Sequence, residues 1–300
     1  MRSRIGLLLV ALALAVTTGC AGTDDGGSGD APRGAPVDVG APLPGNVKER
    51  GRLAVGVKCD YPPFGYIDEA AKNAGFEIDL ARRLAGYAFG DPGAVELTCV
   101  TGANRVSFLT TNRIDLIIAT MNYTAERAKT IDFSTPYFAS GVRLLVPKDS
   151  PIASFADLDG KSVISTNGAT ASLWLTQCRP GAKQVLFGQT SEALTALKQR
   201  RGDAFAQDDT LLLDLATKNR DLRVVGDSKA GSPWGMGVRK GDRAMLDWVN
   251  AALVKLQGED FFWTEFQQTV TDPALREQFA KFVPRPGNDL TYPSGSTLQC

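Results

Sequence analysis

Short apolar runs alternate with amphipathic segments along most of the chain. The apolar runs are typical of buried strands, and the segments between them repeat apolar residues at the spacing of a helix that packs one face on a core. Strand and helix in alternation predict parallel sheets with crossover helices, an α/β fold. The predicted strands lie at 53–57, 95–100, 114–119, 161–165, 184–187 and 204–206, and the predicted helices at 78–87, 105–111, 170–177, 191–200, 209–217, 243–257 and 274–282.

Two extended runs, 141–146 and 235–238, divide this alternation into two sets. The chain is therefore expected to cross into a second lobe and to return, so that the first lobe contains both ends of the fold. A length of 300 residues with 43% hydrophobic residues fits two such units. The expected boundaries are 49–140 with 234–284 for the first lobe, 141–233 for the second lobe and 285–300 for a C-terminal tail.

The first residues have the pattern of a secretory signal peptide. Arg2 and Arg4 precede an apolar run over 5–16, which is too short to cross a bilayer and is followed by small residues. We expect residues 1–19 to be removed on export.

The motif Thr17-Thr18-Gly19-Cys20 resembles a bacterial lipobox, although Thr17 departs from the leucine usual at that position. The resemblance implies a lipid on Cys20 that anchors the protein to the outer face of the cell membrane, and the alternative is an ordinary cleaved signal. The segment 20–48 is rich in Gly, Ser, Asp and Pro, which predicts a flexible tether.

Charge composition excludes several kinds of partner. The chain has 33 basic and 33 acidic residues, and loss of Arg2 and Arg4 would leave 31 against 33, a net charge of −2. Such a balance is not typical of a nucleic-acid-binding or polybasic membrane surface. The chain contains no histidine and its cysteines are far apart, so neither a metal nor another cofactor is expected.

An exported chain favours disulfides. Apart from Cys20, the cysteines are Cys59, Cys99, Cys178 and Cys300, which allow three pairings. Cys59 and Cys99 each end a predicted strand, and if these strands are parallel neighbours their ends lie side by side. We therefore favour Cys59 with Cys99, which leaves Cys178 with Cys300 to join the tail to the second lobe.

A polar turn and an arginine follow the strand predicted at 114–119. The turn spans 120–124 and Arg127 comes three residues later. An arginine can donate two parallel hydrogen bonds to a carboxylate, while Thr120, Asn122 and the backbone N–H groups of the turn hold the anion from the other side. This arrangement suits the α-carboxylate of an amino acid.

Several ordered motifs resemble the type II periplasmic amino-acid-binding proteins, solute-binding protein family 3, which serve ABC importers. They are LAVGVKCDYPPFGY, GFEIDLARRLA, the stretch 114–137, NGAT and GDAFAQDDT, and the resemblance runs from about residue 51 to 282. It implies a two-lobed α/β fold with a hinge and a ligand cleft between the lobes. Within GFEID, Glu77 and Asp79 are expected to oppose the dipole at the start of their helix.

The resemblance also implies roles for individual residues. Arg127 would bind the α-carboxylate, Asp208 would accept from the α-ammonium, and an aromatic ring would cover the apolar stem of the ligand. Asp209, the next residue, is the alternative to Asp208, and it could instead cap the helix that follows. The positions expected to contact the ligand are Lys58, Tyr61, Arg105, Thr120, Asn122, Arg127, Gly168, Thr170 and Asp208.

Lys58 and Arg105 align with the positions that face the side chain of the ligand. In relatives that take acidic amino acids, basic residues there resemble a clamp for the side-chain carboxylate. The three cations Lys58, Arg105 and Arg127, less the anion Asp208, give the site a net charge of +2. This charge favours L-glutamate or L-aspartate over their amides. The alternative for Lys58 is a solvated loop lysine, and the alternative for Arg105 is a surface residue at the start of its helix.

These features predict a solute-binding lipoprotein that captures an acidic amino acid by lobe closure and delivers it to a membrane permease. No covalent chemistry is implied, and the protein is not expected to be an enzyme. A sensor that docks on a membrane signalling protein is the alternative. A dehydratase of the same fold is less favoured, because it would need a general acid in the cleft.

Overall fold

The computed structural model describes residues 34–292, 298 and 300. The predicted signal peptide and Cys20 lie outside the described residues. Strands β1 to β11 span Leu53–Val57, Asp60–Tyr61, Gly65–Ile67, Asn73–Ala74, Val95–Cys99, Leu116–Ile118, Ile131–Pro147, Ser162–Thr166, Lys183–Phe187, Ala204–Asp208 and Leu222–Arg239. Helices α1 to α10 span Gly45–Arg50, Phe76–Phe89, Arg105–Thr110, Ala125–Thr130, Thr170–Cys178, Thr190–Lys198, Asp209–Lys218, Arg243–Gly258, Phe261–Thr269 and Pro273–Phe279, and 3-10 turns span Phe155–Leu158 and Ala280–Phe282.

Eight strands form one mixed sheet in the order β5-β1-β6-β11-β7-β10-β8-β9. Strands β5, β1 and β6 are parallel on one side, and β10, β8 and β9 are parallel on the other. The long strands β7 and β11 run antiparallel between the two sets and belong to both lobes. The predicted crossings are thus parts of two continuous strands, which confirms the two-lobed α/β fold. The exact lobe boundaries stay a prediction.

Every predicted strand and helix has a counterpart in the structure, with ends that differ by a few residues. Four features were not predicted as helices or strands, namely α1, α4, α9 and the small sheet β2-β3-β4. Each is short, so its apolar pattern has too few repeats to be recognised.

The tether predicted over 20–48 is wrong for its second half. From residue 34 the chain lies against the first lobe, where Gly34 N donates to Gly90 O and Val37 N to Tyr87 O, both at 2.8 Å. Val47 is fully buried. A few apolar residues among prolines and glycines are enough to hold this segment on an existing surface, although they could not form a core of their own.

Two disulfides connect Cys59 with Cys99 and Cys178 with Cys300. The first has the pairing favoured above, and its reason is the expected one, because β1 and β5 are parallel and Val57 is in register with Cys99. The second joins the last residue of α5 to the end of the tail.

An aromatic cluster fills the first lobe beside the hinge. Trp234, in β11, is fully buried and stacks on Phe138 with ring centres 5.1 Å apart. Phe64 packs edge-on against Trp234 at 4.8 Å, and Tyr61 does so at 6.2 Å. Phe64 is therefore a core residue, and Trp234 packs at the hinge.

Among the helices of the described residues, none is both long and apolar enough to cross a membrane.

Candidate functional site

Several strands of both lobes end at one small enclosed cavity. Lys58 follows β1, Thr120 follows β6, and Thr166 and Asp208 are the last residues of β8 and β10. This is the strand-end position expected for an α/β ligand site. The cavity measures about 20 Å³, and its lining residues are Lys58, Tyr61, Gly102, Arg105, Thr120, Asn122, Thr166, Ala169, Thr170, Thr190, Gln207 and Asp208.

A buried carboxylate fixes the polar turn after β6. Thr120 has φ +45°, a conformation that costs free energy for a residue with a side chain. Its N–H donates to Glu77 Oε1 at 2.6 Å, and the Tyr137 hydroxyl donates to the same oxygen. Glu77 is fully buried. Glu77 lies in the first turn of α2, as expected, but it makes no side-chain cap there, and its carboxylate instead holds the turn of another element.

Arg127 connects the two lobes. Thr124 caps α4 by accepting from Arg127 N at 3.1 Å, which places the arginine at the cleft. Its Nη1 donates to Asn122 O at 2.8 Å and to Thr170 Oγ1 at 3.2 Å, and its Nη2 donates to Gly168 O at 2.9 Å. Burial, reinforced by the neighbouring Arg105 charge, lowers the pKa of Arg127 to about 9.

Asp208 provides the opposite charge from the second lobe. Its Oδ2 accepts from the Tyr61 hydroxyl at 3.1 Å, across the cleft. Its Oδ1 is buried and has no hydrogen-bond partner among the described residues. Burial, with the charge of Asp209, raises the pKa of Asp208 to about 7. A buried acceptor without a donor is costly, so this oxygen is well placed for a cationic group of a ligand.

Asp209, the alternative to Asp208, is occupied elsewhere. Its Oδ1 accepts from Ser140 Oγ at 2.7 Å and from Gly141 N at 3.2 Å, and its Oδ2 accepts from Ser228 Oγ at 2.9 Å. These donors lie on the hinge strands β7 and β11. Asp209 therefore connects α7 to the hinge and does not line the cavity.

The turn before α5 approaches the first lobe very closely. Gly168 has φ +71°, and a Cβ built there would lie 2.5 Å from the backbone of Gly102 in the opposite lobe. Only glycine fits this position. Two residues later, Thr170 Oγ1 donates to Asn122 Oδ1 at 2.8 Å. The two predicted turns are thus in direct contact.

Lys58 and Arg105 both line the cavity, as expected, but both already have partners. Lys58 Nζ lies 2.7 Å from Asp60 Oδ1. Arg105 Nη1 donates to Ala119 O at 2.5 Å, and its Nε has no partner among the described residues. Burial lowers the pKa of Arg105 below its ordinary value. The expected net charge of +2 did not count the negative charge of Asp60.

The structure therefore brings all the predicted contact residues to one place. Gly168 and Arg127 join the cavity wall through their contacts with its lining residues. Sequence reasoning missed several residues at the cavity. Two of them, Thr166 and Gln207, directly follow a predicted strand, and that position was a usable signal. The missed residues are Asp60, Gly102, Thr166, Ala169, Thr190 and Gln207.

Opposite charges from the two lobes lie beside one small cavity, and such a pair complements a zwitterion. The guanidinium of Arg127 lies with the donors of two turns, and the carboxylate of Asp208 has an acceptor atom to spare. Closure removes both charges from water, which strengthens their interaction with a ligand that carries both complementary groups.

The chain is similar in sequence and structure to known amino-acid-binding proteins. The glutamine-binding protein of Geobacillus stearothermophilus is 37% identical over 79% of this chain and 93% of its own length. The ABC transporter glutamine-binding protein GlnH of Bacillus subtilis is 32% identical over 91% of this chain and 100% of its own. The crystal structure of the cysteine-binding protein of Campylobacter jejuni superposes with a TM-score of 0.74 at 35% identity, over 77% of this chain and 92% of that one.

Residues 53–262 match the family described as bacterial extracellular solute-binding proteins, family 3. The match covers more than half of the chain and includes both lobes and the cavity between them. The chain belongs to this family of amino-acid-binding proteins.

Proposed function

We propose that this protein captures one L-amino acid between its lobes and delivers it to an ABC importer. The observation that carries the proposal is a pair of opposite charges at one cavity lined from both lobes: Asp208 lines the cavity, and Arg127 is bound to its lining residues Asn122 and Thr170. In the ligand complex, Arg127 exchanges its contacts with Gly168 and Thr170 for the α-carboxylate, and Asp208 Oδ1 accepts from the α-ammonium.

The remaining polar groups orient the ligand. Thr120, Asn122 and Thr170 supply donors around the α-carboxylate, and the Tyr61 ring covers the apolar stem. The present cavity holds about one water molecule, so an amino acid enters only after the lobes separate. Binding then shifts an open-to-closed equilibrium, because only the closed state brings Arg127 and Asp208 to the same molecule.

The side chain of the ligand ends in an oxygen acceptor, as in glutamate, aspartate and their amides. Lys58 and Arg105 supply positive charge and N–H donors at that end of the cavity, which first suggested an acidic ligand. The pairing of Lys58 with Asp60 reduces the charge available to it. The proposal therefore includes the amides, and relatives named for glutamine support that wider class.

A thermal-shift screen of the standard amino acids tests the proposal. A ligand that binds only the folded state raises the unfolding midpoint, by an amount that grows with the logarithm of its concentration over Kd. Glutamate, aspartate, glutamine or asparagine should give the largest shift, followed by calorimetry of that ligand. A screen in which no amino acid raises the midpoint would contradict the proposal.

Location and partner need separate tests. A lipid on Cys20 would hold the protein at the outer face of the membrane, and Cys20→Ser should abolish incorporation of labelled fatty acid. Crosslinking of the ligand-bound protein in membranes should capture an ABC permease. Capture of a membrane signalling protein would instead favour the sensor alternative, and turnover of a cyclohexadienyl substrate would favour the dehydratase.

A further inference from the structure

One residue of the cavity wall, Lys58, belongs to an ion pair. Lys58 Nζ and Asp60 Oδ1 are 2.7 Å apart, and their side chains are only 10% and 17% exposed. Lys58 lines the cavity, where the side chain of a ligand would meet it. An ion pair this shielded retains much of its strength, unlike a pair on the surface.

The second oxygen of Asp60 is also bound. Asp60 Oδ2 accepts from the N–H of Thr190, the first residue of α6 in the opposite lobe, at 2.8 Å. Burial raises the pKa of Asp60, but Lys58 and the Thr190 N–H more than offset this and bring it below its ordinary value. The carboxylate is therefore ionised at neutral pH and held in a fixed position beside Lys58.

This fixed anion changes the charge balance of the closed site. The cations are Lys58, Arg105 and Arg127, and the anions are Asp60 and Asp208, which leaves 3 − 2 = +1, or zero when the buried carboxyl of Glu77 is also ionised. A zwitterion with an uncharged side chain leaves this balance unchanged. A side-chain carboxylate adds one negative charge, and Lys58, the lining cation that it would meet, is already neutralised by its pairing with Asp60.

The other groups at this wall are uncharged and polar. Gln207 Nε2 donates to Thr166 Oγ1 at 2.7 Å, and Gln207 Oε1 accepts from Asp208 N at 3.0 Å. Lys58 uses one of its three N–H bonds on Asp60, so two remain for a carbonyl oxygen. A carboxamide can accept from Lys58 without placing a second anion beside Asp60.

We propose that Asp60 is a specificity-determining residue, which makes the cleft select a side-chain carboxamide over a side-chain carboxylate. This inference rests on the proposed function, because it assumes that the cavity takes an amino acid. It names the class within that function: an amide such as glutamine or asparagine in preference to the corresponding acid.

Calorimetric affinities for L-glutamine and L-glutamate test the proposal through their ratio. Asp60→Asn removes the anion but keeps an acceptor for the Thr190 N–H, and it should raise the relative affinity for glutamate about tenfold or more. Lys58→Met leaves Asp60 without its cation and should change the ratio in the opposite direction. A uniform effect on lobe closure would alter both affinities equally and cancel in the ratio.

Two controls separate charge from damage to the fold. Asp149→Asn makes the same substitution at an exposed pair with Arg200 and should leave the ratio unchanged. Asp60→Glu keeps the charge and should preserve the preference for the amide. These two variants and the Lys58 variant keep the proposal testable even where Asp60→Asn does not fold.

Each outcome has a definite meaning. A wild-type protein that binds no amino acid contradicts the proposed function itself. A wild-type protein that prefers glutamate, or folded Asp60→Asn with an unchanged ratio, overturns the role of Asp60 and leaves the amino-acid cleft intact.

Discussion

Arg127 keeps a positive charge at a half-buried position, where protein oxygens replace part of its hydration. Burial and the nearby charge of Arg105 lower its pKa to about 9, so the guanidinium is still protonated at neutral pH. Backbone and hydroxyl oxygens of both lobes satisfy it. Such a group loses little by exchanging these neutral partners for a carboxylate, because part of its desolvation cost is already met in the ligand-free protein.

Arg127→Ala should therefore weaken binding of every amino acid that the protein takes, by about 3 kcal/mol or roughly a hundredfold. Calorimetry with the preferred ligand measures the loss. The control is Arg113→Ala, since that arginine lies over the Phe108 ring and has no contact with the cavity. Unchanged affinity in a folded Arg127→Ala protein would show that the carboxylate binds elsewhere.

Asp208 should make ligand affinity depend on pH. Burial, the charge of Asp209 and the contacts with Tyr61, Arg105 and Arg127 set its pKa at about 7. Below that pH the folded protein holds a proton that an ordinary aspartic acid would have lost. The ligand ammonium favours the ionised form, so binding must release that proton.

Affinity should thus rise with pH toward about 7, by up to about tenfold per unit well below it, and then level off. The sign for the ligand-free protein is opposite: its stability should fall over the same rise in pH, because the folded state must ionise a buried acid. Calorimetry across this range checks the first trend. Glu77→Gln should retain it, whereas affinity that is flat with pH would contradict the role of Asp208.

At the scale of elements, the polar turn after β6 depends on helix α2, which does not line the cavity. Glu77, in the first turn of α2, accepts from Thr120 N and from the Tyr137 hydroxyl. The first contact holds the turn after β6 in its unfavourable backbone conformation, and the second reaches the hinge strand β7. One carboxylate therefore connects three elements.

Glu77→Ala should lower the free energy of unfolding by about 2–4 kcal/mol, because it leaves a buried N–H and a buried hydroxyl without an acceptor. Glu77→Gln keeps an acceptor oxygen and should retain most of the stability and affinity. Urea denaturation measures the first effect and calorimetry the second. Equal stability of the Ala and Gln variants would contradict this role for Glu77.

Elements with long periodic patterns were predictable from the sequence, and so was the polar turn after β6, because a polar segment that ends a buried strand is a strong signal. Glu77 was not, because an acid in the first turn of a helix has a sufficient local explanation. Asp60 was missed for a similar reason. Whether a charge faces water, a helix end or another charge depends on contacts between distant segments, which periodicity does not encode.

At the scale of the whole molecule, β7 and β11 couple the cleft to the hinge. The binding turn is hydrogen-bonded to β11, since Tyr123 N donates to Pro233 O at 3.2 Å and Gly235 N donates to Met121 O at 3.1 Å. The pairing of β11 with β7 is irregular just before this point, with register shifts between Val225 and Lys229 and again before Ser232. An irregular ladder is easier to bend than a regular one, which suits a hinge.

The position of Trp234 gives the protein an optical reporter of its own. Its indole is buried at the hinge, and it contacts Tyr61, whose hydroxyl reaches Asp208 across the cleft. Separation of the lobes breaks that contact and changes the environment of the indole. Ligand titration should therefore alter the intrinsic fluorescence, and the change should persist in Trp263→Phe, which removes a less buried indole remote from the cavity. Loss of the fluorescence change in Trp263→Phe would assign that change to Trp263. If the change persists, lobe closure can be followed in real time without an attached dye.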